Sequence, residues 1–146
     1  MAHFQKLLLA LDLNPHSNAL IGRVQQLCRD ESENLHVVHV IREGMHESWA
    51  YDRDFRGNAH AQRILDHTQI KIRDILHKHG LEIPSDRIYL SHGEPAFEIK
   101  KLAAAIDADL VIVGSHYKDG DWMQLPGSTT NCVIQGISSN VMAVKI

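Results

Sequence analysis

Between Gly114 and Asn131 the sequence reads GSHYKDGDWMQLPGSTTN. Its residue types suit one kind of chemistry, the holding of an anion by backbone and hydroxyl donors. Gly127 permits close backbone approach or a left-handed turn. Ser128 and Thr129 follow with hydroxyls and N–H groups where a helix begins, an end that carries partial positive charge and attracts phosphate. The same residues also make an ordinary helix N-cap preceded by glycine. Asp12 is the second candidate. At the end of an apolar strand its carboxylate can accept ribose hydroxyls or hold a metal through water, or it can bond its own backbone in the turn DLNP. Between the glycines, Lys118, Asp119 and Asp121 are polar. Trp122, Met123 and Leu125 suit a partner contact, a lid over a ligand, or packing back onto the domain.

Other chemistries lack their residues. There is no GxxxxGK[ST] loop and no GxGxxG after the first strand. No GxSxG elbow occurs, and no local set of Ser, Cys and His assembles a triad. No pair of carboxylates is placed for acid–base work, so no catalytic residue is assigned and binding is the expected activity. Eleven histidines invite a metal site. However, His36 and His39 are three apart in a strand and point to opposite faces. His77 and His79 are two apart in a helix and also diverge. No Cys/His pair has zinc spacing, so no metal ligands are expected. Cys28 and Cys132 share no motif and fit buried, reduced thiols.

The elements that must position these residues follow from hydrophobic periodicity. KLLLALD (6–12) is a short apolar run suited to a strand buried on both faces. Asn14-Pro15 then breaks structure, and Ser17 is placed to cap a helix. Leu20, Val24, Leu27 and Cys28 continue it at helical spacing to about Asp30. LHVVHVI (35–41) is the second strand. The connection over 42–58 has no clear period. A long helix then places Ile64, Leu65, Thr68, Ile72, Ile75 and Leu76 on one face, and Gly80 stops it. RIYLS (87–91) is the third strand. Pro95 sits in the first turn of a third helix, along which Phe97, Ile99, Leu102 and Ile106 are apolar. DLVIVG is the fourth strand. STTNCVIQGIS is the fourth helix, with Val133, Ile134 and Ile137 inward, and NVMAVKI is the fifth strand.

The chain therefore alternates strand and helix throughout, as one domain spanning 1–146. Such alternation specifies an α/β fold with a mostly parallel five-stranded sheet and helices on both faces. Right-handed crossovers limit it to a few doubly wound topologies, of which strand order 3-2-1-4-5 is expected here. In that order the winding reverses between strands one and four, and ligands bind at the carboxyl ends of such a switch point. Asp12 and the Gly114–Asn131 stretch both open there. A formal net charge of −3 supplies no basic field for nucleic acid. No apolar run is long enough to cross a bilayer, and the N-terminal stretch lacks the features of a signal peptide, so a cytoplasmic protein is expected.

The arrangement resembles the universal stress protein family, the UspA-like proteins, across essentially the whole chain. KLLLALDLNPHS is similar to the family's opening strand and short loop, SHGEPAFEI to its glycine-x-proline start of the third helix, and ADLVIVGSHY with GSTTNCVI to its nucleotide loop. Nucleotide-binding members carry glycine, two residues, glycine, nine residues, then glycine with serine or threonine. Here Gly114 is the first glycine, Gly127 and Ser128 the last pair, and Tyr117 takes the middle position. The resemblance implies an adenine nucleotide α-hydrolase-like fold binding ATP or AMP, with Mg. Ala10, Leu11 and Asp12 would lie at adenine and ribose, Val40 at the base, and His116, with Gly114, Gly127, Ser128 and Thr129, at the phosphates. Hydrolysis would be slow at most. Members without the glycine pattern, like UspA itself, imply the other reading: a nucleotide-free dimeric adaptor acting through protein contacts, with Tyr117 and Trp122 filling the crevice or facing a partner. Both imply a homodimer paired through the C-terminal strand (141–146), whose valine-rich edge needs covering.

Overall fold

A computed structural model of the chain describes residues 4–42, 59–115 and 132–146. Five strands form one sheet: β1 (Leu7–Ala10), β2 (Leu35–Ile41), β3 (Ile88–His92), β4 (Leu110–Ser115) and β5 (Asn140–Lys145). Their order is β3-β2-β1-β4-β5, as the alternation predicts. All four neighbouring pairs are parallel, with Leu7 in register with Leu35 on one side and Leu110 on the other.

Period-two alternation divides the core in two. Leu7, Leu9 and Leu11 of β1 and its exit turn pack with Val37 and Ile112 against Leu20, Ile21 and Val24 of α1 (Ser17–Leu27) and Ile72 and Leu76 of α2 (Ala59–Lys78). On the opposite face Leu8, Val38, Val111 and Val113 meet Ala96, Ile99 and Ala103 of α3 (Pro95–Ala105) and Val133. The first face is filled by large aliphatic side chains. The second uses alanines, which let α3 lie close to the sheet.

Local choices explain the ends of these elements. Gly80 takes φ 74° just beyond α2, a conformation that a Cβ disfavours. Pro95 occupies the first turn of α3, and the Glu94 carboxylate accepts from the N–H groups of Ala96 (3.3 Å) and Phe97 (2.7 Å). At the amino ends of the strands the Asp109 carboxylate accepts from the N–H groups of Gln5 (2.7 Å) and Lys6 (2.8 Å), joining the start of β1 to β4.

Several expectations are corrected. Ser17 is the first helical residue of α1; the cap position is His16, which makes no side-chain cap bond. The first helix ends at Leu27, because Cys28, held in the core, leaves helical geometry at φ −121° and ψ 32°, and a 3₁₀ stretch over Arg29–Asn34 leads into β2. Cys28 is buried, but Cys132 is exposed. Of the three residues expected inward in the fourth helix, Val133 is buried and Ile137 partly so, whereas Ile134 is exposed. Of the expected helix, residues 132–138 are described; it is helical over 132–134 and ends there, with Gly136 at φ 74° in the turn that follows, so Ile137 lies beyond it. The connection over 42–58 and Trp122 lie outside the described residues, apart from Arg42.

Candidate functional site

The winding reverses between β1 and β4, and the carboxyl ends of these parallel neighbours lie together at one end of the sheet. There, Ala10, Leu11, Asp12, Val40 and Gly114 line one narrow cavity of about 40 Å³, walled by Pro95 and Ile99 of α3. These are five of the nine site residues expected from the sequence, drawn together from three strands. The other four, His116, Gly127, Ser128 and Thr129, lie outside the described residues, as does Tyr117.

The turn after β1 is built from its own polar groups. The Leu11 N–H donates to the Val38 carbonyl (2.8 Å), and His39 Nδ1 lies 2.7 Å from the Leu11 carbonyl oxygen. A carbonyl only accepts, so Nδ1 carries the proton. The Ser17 hydroxyl accepts from the Asn14 N–H (2.9 Å) and donates to the Asp12 carbonyl. Asn14 Oδ1 accepts from the His16 N–H (2.8 Å). Leu11 is 1% exposed, so it forms the floor of the site with its backbone already engaged. Asp12 is exposed, and its carboxylate is open to a ligand. No resolved feature makes Asp12 a metal ligand: among the described residues, no group of three or more His, Cys, Asp or Glu side chains could hold an ion.

On the β4 side, Gly114 has a packing reason for its identity. A Cβ there would lie 3.0 Å from Ile146 Cδ1 and 3.3 Å from Leu20 Cδ2. Ser115 follows, 3% exposed, and its hydroxyl has no partner among the described residues. Sequence reasoning missed it. The signal was the alternation itself, because Ser115 is in phase with the inward-facing Val111 and Val113. His39 was also missed; in LHVVHVI it shares the phase of Val37.

A larger groove of about 370 Å³ adjoins this cavity beyond Asp12 and Val40, between the β1 turn and α2. Elsewhere in the sheet His36 stacks on Tyr89, with Nδ1 3.0 Å from the phenol oxygen. Burial, with smaller contributions from Arg87 and Lys6, lowers the His36 pKa from its ordinary value. No described helix is long and apolar enough to cross a membrane.

The chain thus forms a parallel α/β sheet of this order with a cavity at its switch point. The sequence model of the universal stress protein family matches residues 3–145, and the chain belongs to that family. It is 30% identical over 147 residues to universal stress protein A homolog 2 of Coxiella burnetii, covering all of this chain and 98% of the relative. Among solved structures it is similar to a hypothetical protein studied as a test case of structural genomics. That match has TM-score 0.68 and 23% identity, over 97% of this chain and 96% of the other. It is also similar to a universal stress protein in complex with cAMP, with TM-score 0.64 and 17% identity, over 99% and 98% of the two chains.

Proposed function

We propose that the protein binds an adenine nucleotide, ATP or AMP, at the carboxyl ends of β1 and β4, and acts through that binding in a stress response. The observation that carries this reading is the shared cavity: Ala10, Leu11, Asp12, Val40 and Gly114 line it together. Family membership supports the stress-response role, and a structural relative held with cAMP supports an adenine nucleotide as the ligand class.

In this reading Val40 packs against the base, and the exposed Asp12 carboxylate accepts from the ribose hydroxyls. Ser115 follows Gly114 at the end of β4, and its hydroxyl has no partner among the described residues. Gly127, Ser128, Thr129 and His116 complete the phosphate contacts, with Mg accompanying ATP. The role is binding and signalling, with hydrolysis slow at most. The protein acts in the cytoplasm as a homodimer paired along β5, an edge strand that pairs only with β4 among the described strands.

Replacement of Gly127 by tryptophan tests the site. The variant should keep the thermal transition of the parent and lose the ATP-induced rise in Tm. At ligand about 100-fold above Kd that rise corresponds to ~2.7 kcal/mol of linkage. An undiminished ATP response in this variant contradicts the assignment. Sedimentation at micromolar concentration checks the dimer, and a pure monomer would overturn that part.

A further inference from the structure

Asp12 owes its place to groups on two other elements. It lies between two planar peptide units, Leu11–Asp12 and Asp12–Leu13, and their rotation about its Cα sets where its side chain points. A side chain holds the carbonyl of each unit. The Leu11 carbonyl accepts from His39 Nδ1 of β2 at 2.7 Å, a partner 28 positions away in the chain. The Asp12 carbonyl accepts from the Ser17 hydroxyl of α1, which accepts in turn from the Asn14 N–H (2.9 Å). Leu11 is buried, so loss of the imidazole would leave its carbonyl short of a partner.

Ser17 is a near neighbour of Asp12, and short polar side chains commonly tie such turns. His39 has no such local reason. It shares the phase of Leu35 and Val37, so its ring lies on the face of the sheet that α1 and α2 cover. The narrow cavity is walled instead by Pro95 and Ile99 of α3, and His39 is not part of its lining. An aliphatic residue at position 39 would simply extend the core. The histidine places one N–H donor at the exit of β1.

We propose that His39 is a positioning residue of the nucleotide site: its Nδ1–H fixes the Leu11–Asp12 peptide and, with Ser17, presets the direction of the Asp12 carboxylate. The inference rests on the nucleotide reading above. A carboxylate held in place before the ribose arrives lowers the ordering cost of binding. His39 also lines the adjoining groove, so direct contact with the ligand through Nε2 is the rival role. Asparagine separates the two, because its amide N–H stands where Nδ1 does and nothing stands at Nε2.

Calorimetric titration of the full chain with ATP is the first readout. His39→Leu should bind about tenfold more weakly than the parent. His39→Thr, a good strand former whose hydroxyl falls one bond short of Nδ1, should do the same. His39→Asn should bind within about twofold of the parent. In an Asp12→Ala background the His39→Leu loss should shrink to about twofold or less, because the carboxylate it positions is gone. The second readout needs no ligand. The three-bond HN–Hα coupling of Asp12 reports its φ; it should move toward a rotationally averaged value in His39→Leu and His39→Thr and stay unchanged in His39→Asn. Amide spectra verify the fold of each variant. A parent that does not bind ATP would remove the nucleotide reading, and the coupling would still decide whether His39 holds Asp12. The proposal is overturned by an unchanged Asp12 coupling in His39→Leu and His39→Thr, by His39→Asn binding as weakly as His39→Leu, or by a His39→Leu loss that persists undiminished in Asp12→Ala.

Discussion

After β1 the chain turns with its polar groups engaged. Leu11 bonds at both its N–H and its carbonyl, and the Ser17 hydroxyl bridges Asn14 and Asp12. At the end of β4 the arrangement is the opposite. Gly114 is fixed by lack of space against Leu20 and Ile146, and Ser115 keeps a buried hydroxyl with no partner among the described residues. Both segments border one crevice. The β1 side is finished before any ligand arrives, which lowers the ordering cost of binding. The β4 side holds a hydroxyl with no partner among the described residues. The two buried serines thus differ: the Ser17 hydroxyl is bonded within its turn, and the Ser115 hydroxyl has no partner among the described residues.

Three substitutions break or sharpen that contrast. Gly114→Leu should have the largest effect, because the side chain meets Ile146 and Leu20 inside ordinary contact distance. Overpacking of this kind costs about 3 kcal/mol, read as a lower urea midpoint at unchanged slope. Ser17→Ala comes next. It leaves the Asn14 N–H and the Asp12 carbonyl without their bridge, and should cost about 1–2 kcal/mol by the same measurement. Ser115→Ala should cost no stability, and removal of the unpaired hydroxyl should raise it slightly. Its effect should appear instead as weaker ATP binding. If Ser115→Ala destabilises as much as Ser17→Ala, the two serines are alike and the contrast fails.

The smallest effect lies away from the crevice. The His36 pKa is lowered in the fold from 6.5, chiefly by burial. The unfolded chain therefore takes up the proton first as pH falls. The stability this group contributes is present above 6.5 and is lost as pH drops through that value toward the folded pKa. Urea unfolding at about pH 7.5 and about pH 5.5 should show a smaller acid loss in His36→Gln than in the parent. An equal loss in both would remove His36 as a source of acid sensitivity.

Much of this was legible in the sequence because hydrophobic period is a strong signal. The run KLLLALD could only be a buried strand, and strict strand–helix alternation left few topologies; the observed order is the one expected. That order brought Ala10, Leu11, Asp12, Val40 and Gly114 to one cavity, although they are distant in the chain. Other features were hidden by degeneracy. Ser17 fits a cap by type, yet its hydroxyl reaches back into the turn, a choice set by loop geometry. Glu94 caps α3 although glutamate is a weak cap by type. Ile134 is apolar but exposed, and the helix stops there, so Ile137 falls beyond it. The groove beside α2 escaped notice because it joins Arg42, after β2, to Thr68 and Lys71 of α2, and the three carry no motif.

The most direct measurement is calorimetric titration of the purified, nucleotide-stripped protein with Mg-ATP, with AMP and GTP run beside it. Saturable ATP binding in the micromolar range, accompanied by a higher Tm, is the result this account predicts. A ligand that binds only the folded state must stabilise it. No heat and no change in Tm at millimolar ATP would contradict the account, and would leave the protein as a nucleotide-free dimeric adaptor working through protein contacts.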